Sequence, residues 1–82
     1  MSRLVLYGRR GCHLCEEMLE DLEPLCRGIP LEIVDVDGDP VLVSRYGARV
    51  PVLVADGFEL CAGRLDRAAL AAVLPAGAER GA

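Results

Sequence analysis

The chain has no lysine and no tryptophan, and a single histidine; its aromatic complement is two tyrosines and one phenylalanine in 82 residues. All nine basic residues are arginine, and thirteen acids outnumber them to leave a formal charge of −4. A basic footprint able to neutralise a run of phosphates is therefore absent, which argues against nucleic acid as a partner. Long apolar runs are missing as well. "MSRLVLYGRR" passes from a short apolar stretch straight to charge, too soon for the apolar region of a signal peptide or for a membrane span. The expectation is a soluble, cytoplasmic protein that makes no membrane contact. Internal repeats and low-complexity blocks are also lacking. With 52% hydrophobic and 27% charged residues, the composition is that of a chain that folds rather than one that stays disordered. A chain this short buries only about 60% of its unfolded surface, so there is room for one domain, and every apolar segment is needed for its core. That domain is expected over residues 1–75. The last seven residues, 76–82, "AGAERGA", offer nothing to pack and are expected to form a flexible tail.

Four cysteines are present. Small secreted domains use such thiols as disulfide staples, but no export signal accompanies them here. In a reducing compartment thiols serve chemistry, metal binding or packing.

Along the chain, "RLVLY" (3–7) reads as a buried strand that runs into a loop at Gly8 and Gly11. From Cys12 the pattern becomes helical. Leu14, Cys15, Met18, Leu19, Leu22 and Leu25 recur at spacings of three and four, with Glu16, Glu17, Glu20, Asp21 and Glu23 between them. Pro24 lacks an amide proton and crowds the preceding turn, so the helix is predicted to end or kink near Glu23, with Cys26 in its tail. "LEIVDVD" (31–37) reads as a second strand, parallel to the first because a helix joins them. Asp39 and Pro40 form a helix cap and first-turn pair, opening a short helix that stops at Gly47. "VPVLVADGFELCAG" is a hairpin about Asp56-Gly57. Asp66 caps a last helix that Pro75 ends.

The chemistry concentrates in "GRRGCHLCEE" (8–17), where Cys12 and Cys15 open the first helix. A free thiol of ordinary pKa, about 8.5, is mostly protonated at neutral pH, but at a helix N-terminus or beside cations the value falls to roughly 3.5–7.5. Cys12 has both influences, the first-turn amides and the neighbouring Arg9 and Arg10, and is the expected attacking thiolate. Cys15 lies one turn deeper on the same face, placed to resolve a mixed disulfide. Glu16 and Glu17 oppose the thiolate. His13, at the adjacent position, points off that face and is expected to be solvent-exposed, at most tuning the disulfide. The competing reading, half of a zinc site, needs a second pair of similar spacing, and only the isolated Cys26 and Cys61 remain. Those two are expected to be small core residues.

"YGRRGCHLC" (7–15), "ARVPVLV" (48–54) and "DGFELCAGRLD" (56–66), in that order and at those distances, resemble the glutaredoxins and thioredoxins, and most closely the short glutaredoxin-like proteins. The Trp-Cys-Gly-Pro-Cys site usual in thioredoxin is not present: Gly11 precedes Cys12, and His13-Leu14 fill the interval. The resemblance implies an α/β thioredoxin-like fold, β-α-β-α-β-β-α, with a four-stranded mixed sheet flanked by helices. It implies a thiol-disulfide oxidoreductase that acts as a monomer on a disulfide-containing protein or a glutathione mixed disulfide. No bound cofactor is needed, and glutathione is a candidate reductant. It further implies that Pro51 is cis and faces the disulfide, whereas bonding preference alone favours trans, since only about 5–6% of X-Pro bonds are cis. Val50 would offer its backbone to an extended substrate. Glutathione carries two carboxylates, which call for cations and helix ends. The resemblance implies that Arg9, which matches a family lysine, and Gly63, in the Ala62-Gly63 that stands where many glutaredoxins carry two glycines, bind the substrate with Val50 and Pro51. Arg49 lies beside Val50-Pro51, and Asp66 matches the capping acid. Leu14 replaces the usual aromatic, which leaves the glutathione site incomplete. Some glutaredoxins share an iron-sulfur cluster between subunits; nothing in these residues supports one directly. The rival reading is a thioredoxin-fold module that uses the groove for a partner and keeps the thiols for sensing, or for metal or an iron-sulfur cluster through Cys12.

Overall fold

The computed structural model describes residues 3–74, so the expected tail and the role of Pro75 lie outside the described residues. The elements are β1 (Leu4–Gly8), α1 (His13–Leu25), β2 (Leu31–Asp35), a 3-10 turn (Val36–Gly38), α2 (Pro40–Tyr46), β3 (Val52–Ala55), β4 (Phe58–Ala62) and α3 (Arg67–Val73). The strands form one mixed sheet in the order β2-β1-β3-β4. β1 and β2 are parallel, with Leu4 opposite Leu31, and β3 is antiparallel to both β1 and β4. This is the thioredoxin-like arrangement that the sequence motifs imply.

Alternation along the central strands divides the core between the two faces of the sheet. Leu4, Leu6, Leu53 and Ala55 pack with Met18, Leu22 and Cys26 on the α1 side and with Leu70 of α3. Val5, Val52 and Val54 face the other way, where Tyr7, Val34 and Tyr46 cover them. Tyr46, the last residue of α2, stacks on Tyr7 with ring centroids 4.3 Å apart and planes 21° from parallel. This offset pairing lets a short helix with no fully buried residue hold its side of the sheet.

Each cap that the sequence points to forms. Asp39 Oδ1 accepts the Val41 N–H at 2.9 Å, with Pro40 in the first turn, and Asp66 Oδ1 accepts the Ala69 N–H at 2.9 Å. Asp56 and Gly57 join β3 and β4 with φ of 46° and 89°, so two left-handed residues close the hairpin between the paired Ala55 and Phe58.

Two expectations need correction. α1 does not end near Glu23 but runs through Pro24 to Leu25, and the Cys26 N–H closes it on the Leu22 carbonyl at 2.9 Å. Pro24 sits in the last turn on an exposed side, where water can satisfy the Glu20 carbonyl that loses its donor. β2 stops at Asp35 rather than Asp37 because the Asp35 carboxylate accepts the Asp37 N–H at 2.9 Å, tightening the chain into the 3-10 turn and turning Val36 fully inward.

Burial rather than hydrophobicity decides what each apolar side chain contributes. Leu22 is 0% exposed and Phe58 is 76% exposed. Leu22→Ala is expected to cost about 2–5 kcal/mol in denaturant unfolding, and Phe58→Ala less than about 0.5 kcal/mol. The reverse order would contradict this core.

Candidate active site

β1 delivers the chain at Gly8 to the loop of Arg9, Arg10 and Gly11, and that loop ends at Cys12, the N-cap of α1. The Cys12 N–H bonds the Arg9 carbonyl at 3.3 Å, and the Cys12 carbonyl accepts the Glu16 N–H at 3.1 Å to start the helix. Cys12 has an extended backbone (φ −84°, ψ 107°), and its Sγ takes the place of a capping oxygen, accepting the Cys15 N–H at 3.2 Å. Its side chain therefore takes up a first-turn donor that no helix carbonyl reaches, at the positive end of the helix dipole. Cys12 and Cys15 are joined as a disulfide, with their Cα atoms 5.2 Å apart. The two residues differ in exposure. Cys12 is half-buried, whereas Cys15 is 8% exposed beneath it.

Cys15 fits there because of Gly8, the last residue of β1. A Cβ on Gly8 would stand 3.2 Å from Cys15 Sγ and 3.3 Å from Cys15 Cβ, closer than side chains ordinarily pack. Sequence reading treats Gly8 as loop punctuation; the usable signal was a glycine closing a strand four residues ahead of Cys12. His13 is solvent-facing, as expected, with Nε2 3.3 Å from the Glu17 carboxylate. That contact engages Glu17, and Glu16 and Glu17 are both exposed.

The strand register brings the other predicted residues to the same end of the sheet. Val52 pairs with Tyr7, so Pro51, one position earlier in the antiparallel β3, falls at the Gly8 end of β1. The Val50-Pro51 bond is cis, as the resemblance implies and against bare bonding preference. The buried Pro51 accepts the Gly63 N–H on its carbonyl at 2.8 Å, which sets Gly63 beside it. A groove of about 340 Å³ lies nearby, lined by Leu14, Met18, Gly63, Arg64 and Arg67 among others. A second, of about 270 Å³, runs along Cys15 between Gly8, Leu19 and Ile33.

Arg9 and Arg49 are each held by an acid distant in the sequence. Arg9 donates from Nε and Nη2 to the two oxygens of Asp37 at 3.1 and 3.0 Å, and from Nη1 to the Gly47 carbonyl at 3.2 Å. Arg49 Nη1 meets Glu59 Oε2 at 2.6 Å, and its Nη2 bonds the Arg45 carbonyl at 3.2 Å. The hydrogen bond between them holds the Glu59 carboxyl below its ordinary range and raises Arg49. Both groups are water-exposed, so the pair orients the segment before Val50 more than it stabilises the fold. Asp37 and Glu59 escaped sequence reading because ion-pair partners distant in the chain leave no local pattern.

Cys26 is buried in the α1-side core and Cys61 packs against it, in keeping with the packing role expected of both. Burial pushes the Cys26 thiol up. Burial is also the main cause of the upward shift at Cys61, against a backbone hydrogen bond from Asp66 that lowers it. Among the described residues, no three His, Cys, Asp or Glu side chains converge as a metal site.

The profile of the glutaredoxin-like domain (DUF836) matches residues 3–75. The chain belongs to this family. A protein of Nitrosomonas europaea, solved by solution NMR, is 44% identical to this glutaredoxin-like domain; the match covers 89% of this chain and 91% of that one, with a TM-score of 0.80. An uncharacterized protein of Mycobacterium tuberculosis is 37% identical over 68 residues, 72% of this chain and 70% of the relative. Thioredoxin 1 of Thermosipho africanus is 19% identical, with 78% of each chain covered and a TM-score of 0.54, a likeness of fold alone.

Two outcomes follow for the reduced glutaredoxin-like domain. Competition alkylation at neutral pH, read by mass spectrometry, is expected to label Cys12 first and the protonated, packed Cys26 and Cys61 last. Faster labelling of Cys26 or Cys61 in the folded protein would remove Cys12 as the nucleophile. Gly8→Ala, which crowds Cys15, is expected to slow closure of the Cys12-Cys15 disulfide by about tenfold, since overpacking costs about 1–3 kcal/mol, and to leave the labelling of Cys12 nearly unchanged. Unaltered closure kinetics would show that the contact is not limiting.

Proposed function

We propose that this glutaredoxin-like domain is a small thiol-disulfide oxidoreductase that reduces protein disulfides or glutathione mixed disulfides. The observation that supports this most is the Cys12-Cys15 disulfide across the first turn of α1, with Cys12 half-buried and Cys15 buried. In the reduced protein, the Cys12 thiolate attacks one sulfur of a substrate disulfide. The new Cys12-substrate S–S bond forms as the old one breaks, and the departing thiolate takes a proton. Cys15, as thiolate, then attacks Cys12 Sγ and displaces the second substrate thiolate, closing the Cys12-Cys15 disulfide. Two electrons have passed from the protein to the substrate. Two thiols of glutathione, or one dithiol reductase, return them.

In this reading the backbone at Val50, turned by Pro51, pairs with an extended substrate as an added strand, and Gly63 lines the same edge. Arg9 contributes from behind that edge. The domain acts as a monomer without a bound cofactor, on neither nucleic acid nor membranes. Among the described residues, no helix is long and apolar enough to cross a membrane. A cytoplasmic setting suits the cycle, because the oxidised pair must be reduced again.

The test is reduction of a disulfide substrate with glutathione and its reductase, and separately with thioredoxin reductase. Cys12→Ser is expected to abolish turnover. Cys15→Ser is expected to accumulate a mixed disulfide through Cys12 while retaining turnover of glutathione adducts, which free glutathione can resolve. Binding without turnover by the wild-type protein, or full activity in both variants, would overturn the reading.

A further inference from the structure

We infer that Arg9 is a positioning residue whose guanidinium, held by Asp37 and Gly47, sets the attacking Cys12 sulfur relative to the substrate edge at Val50-Pro51, and does not itself meet the substrate. The inference rests on the proposed role of Cys12 as the attacking thiol. Three of the guanidinium's five donors are spent inside the protein, two on the Asp37 carboxylate and one on the Gly47 carbonyl. The main chain of the same residue is tied to the nucleophile, because the Arg9 carbonyl accepts the Cys12 N–H.

Gly47 begins the segment that carries the other half of the site. Its N–H closes α2 on the Val43 carbonyl at 2.9 Å, and the Arg49 N–H bonds the Tyr46 carbonyl at 2.8 Å to turn the chain toward Val50. Arg9 thus bridges two loops, 9–12 and 47–51, that lie far apart in sequence and that must stand at a fixed separation for a disulfide paired along Val50 to present its sulfur to Cys12. Asp37 is held in turn, since its N–H donates to the Asp35 carboxylate. The pair is only partly covered, with side-chain exposures of 35% for Arg9 and 53% for Asp37, so its consequence is geometric more than a matter of stability. Asp37 also neutralises the charge that a substrate carboxylate would have to find. Among the described residues, Arg10 is the exposed cation of this loop that no ion pair engages. Lysine could not replace Arg9, because a point ammonium cannot span a carboxylate and a separate carbonyl in one plane.

A double-mutant cycle decides the matter. Wild type, Arg9→Ala, Asp37→Ala, the double variant and Arg9→Lys are compared on oxidised glutathione, which carries carboxylates, and on the uncharged bis(2-hydroxyethyl) disulfide, with the alkylation rate of Cys12 measured alongside. Both assays use a dithiol reductant and no added glutathione, so that the uncharged substrate forms no glutathione adduct. A bridge predicts that Arg9→Ala and Asp37→Ala each lower kcat/KM by about five- to tenfold on both substrates, that the double variant is no worse than either, and that Arg9→Lys does not rescue. Loss confined to oxidised glutathione and to Arg9→Ala would overturn the inference in favour of direct contact with the substrate. Lowered thermal stability with kcat/KM and Cys12 alkylation unchanged would reduce Arg9 to a brace and overturn it equally. If the wild type turned over neither substrate, the oxidoreductase reading would fall. The alkylation rate would still judge Arg9, and a rate unmoved in both single variants would overturn the bridge.

Discussion

The packing of α1 across Leu4 and Leu6 of β1 is the contact on which the rest of the molecule depends. Met18, Leu22 and Cys26 meet those two leucines in one buried cluster. Because β1 is central in the sheet, the same burial fixes the start of α1 over one end of it. Cys12 occupies that start. Its sulfur caps the first turn there, so the burial that places the helix also places the cysteine pair. Gly8 is where the two come closest, at the point where β1 must pass under Cys15 without a side chain of its own.

The second constraint is the use of arginine. A chain with no lysine has guanidinium groups for every cationic task, and here two of them act as ties between segments. Arg9 joins the loop before Cys12 to the 3-10 turn and the end of α2, and Arg49 joins the approach to Val50 to β4. Both ties flank the Val50-Pro51 edge, which makes that edge part of a braced frame rather than a loose loop. A forked donor suits such duty because one group can satisfy a carboxylate and a carbonyl together. The pairs are exposed and contribute little stability; what they do is tie together segments distant in the sequence.

How much of this was legible in the sequence depended on how local each signal was. Asp39-Pro40, Asp56-Gly57 and Asp66 each specify a cap or turn through neighbours within a few residues, and all three formed. The 3.6-residue pattern from Leu14 to Leu25 marks α1, and the helix continues through Pro24 because a proline in an exposed last turn removes only one hydrogen bond that water can replace. The end of β2 is likewise set by a detail that the alternation hides. "LEIVDVD" alternates to its end, and only the side chain of Asp35, bonding two residues ahead, breaks the strand.

Taken by itself, the sequence determined the element order, the Cys-x-x-Cys pair at a helix start, and the family resemblance that went with them. All of these rest on spacing along one stretch of chain, and spacing is what a sequence displays. Tertiary structure alone decided that Gly8 clears room for Cys15, that Arg9 and Arg49 answer to Asp37 and Glu59, and that Gly63 bonds Pro51. Those pairings join residues brought together by the register of β1 with β3 and of β3 with β4. Register is fixed by which faces of the strands are buried, a property of the assembled core that no single segment carries.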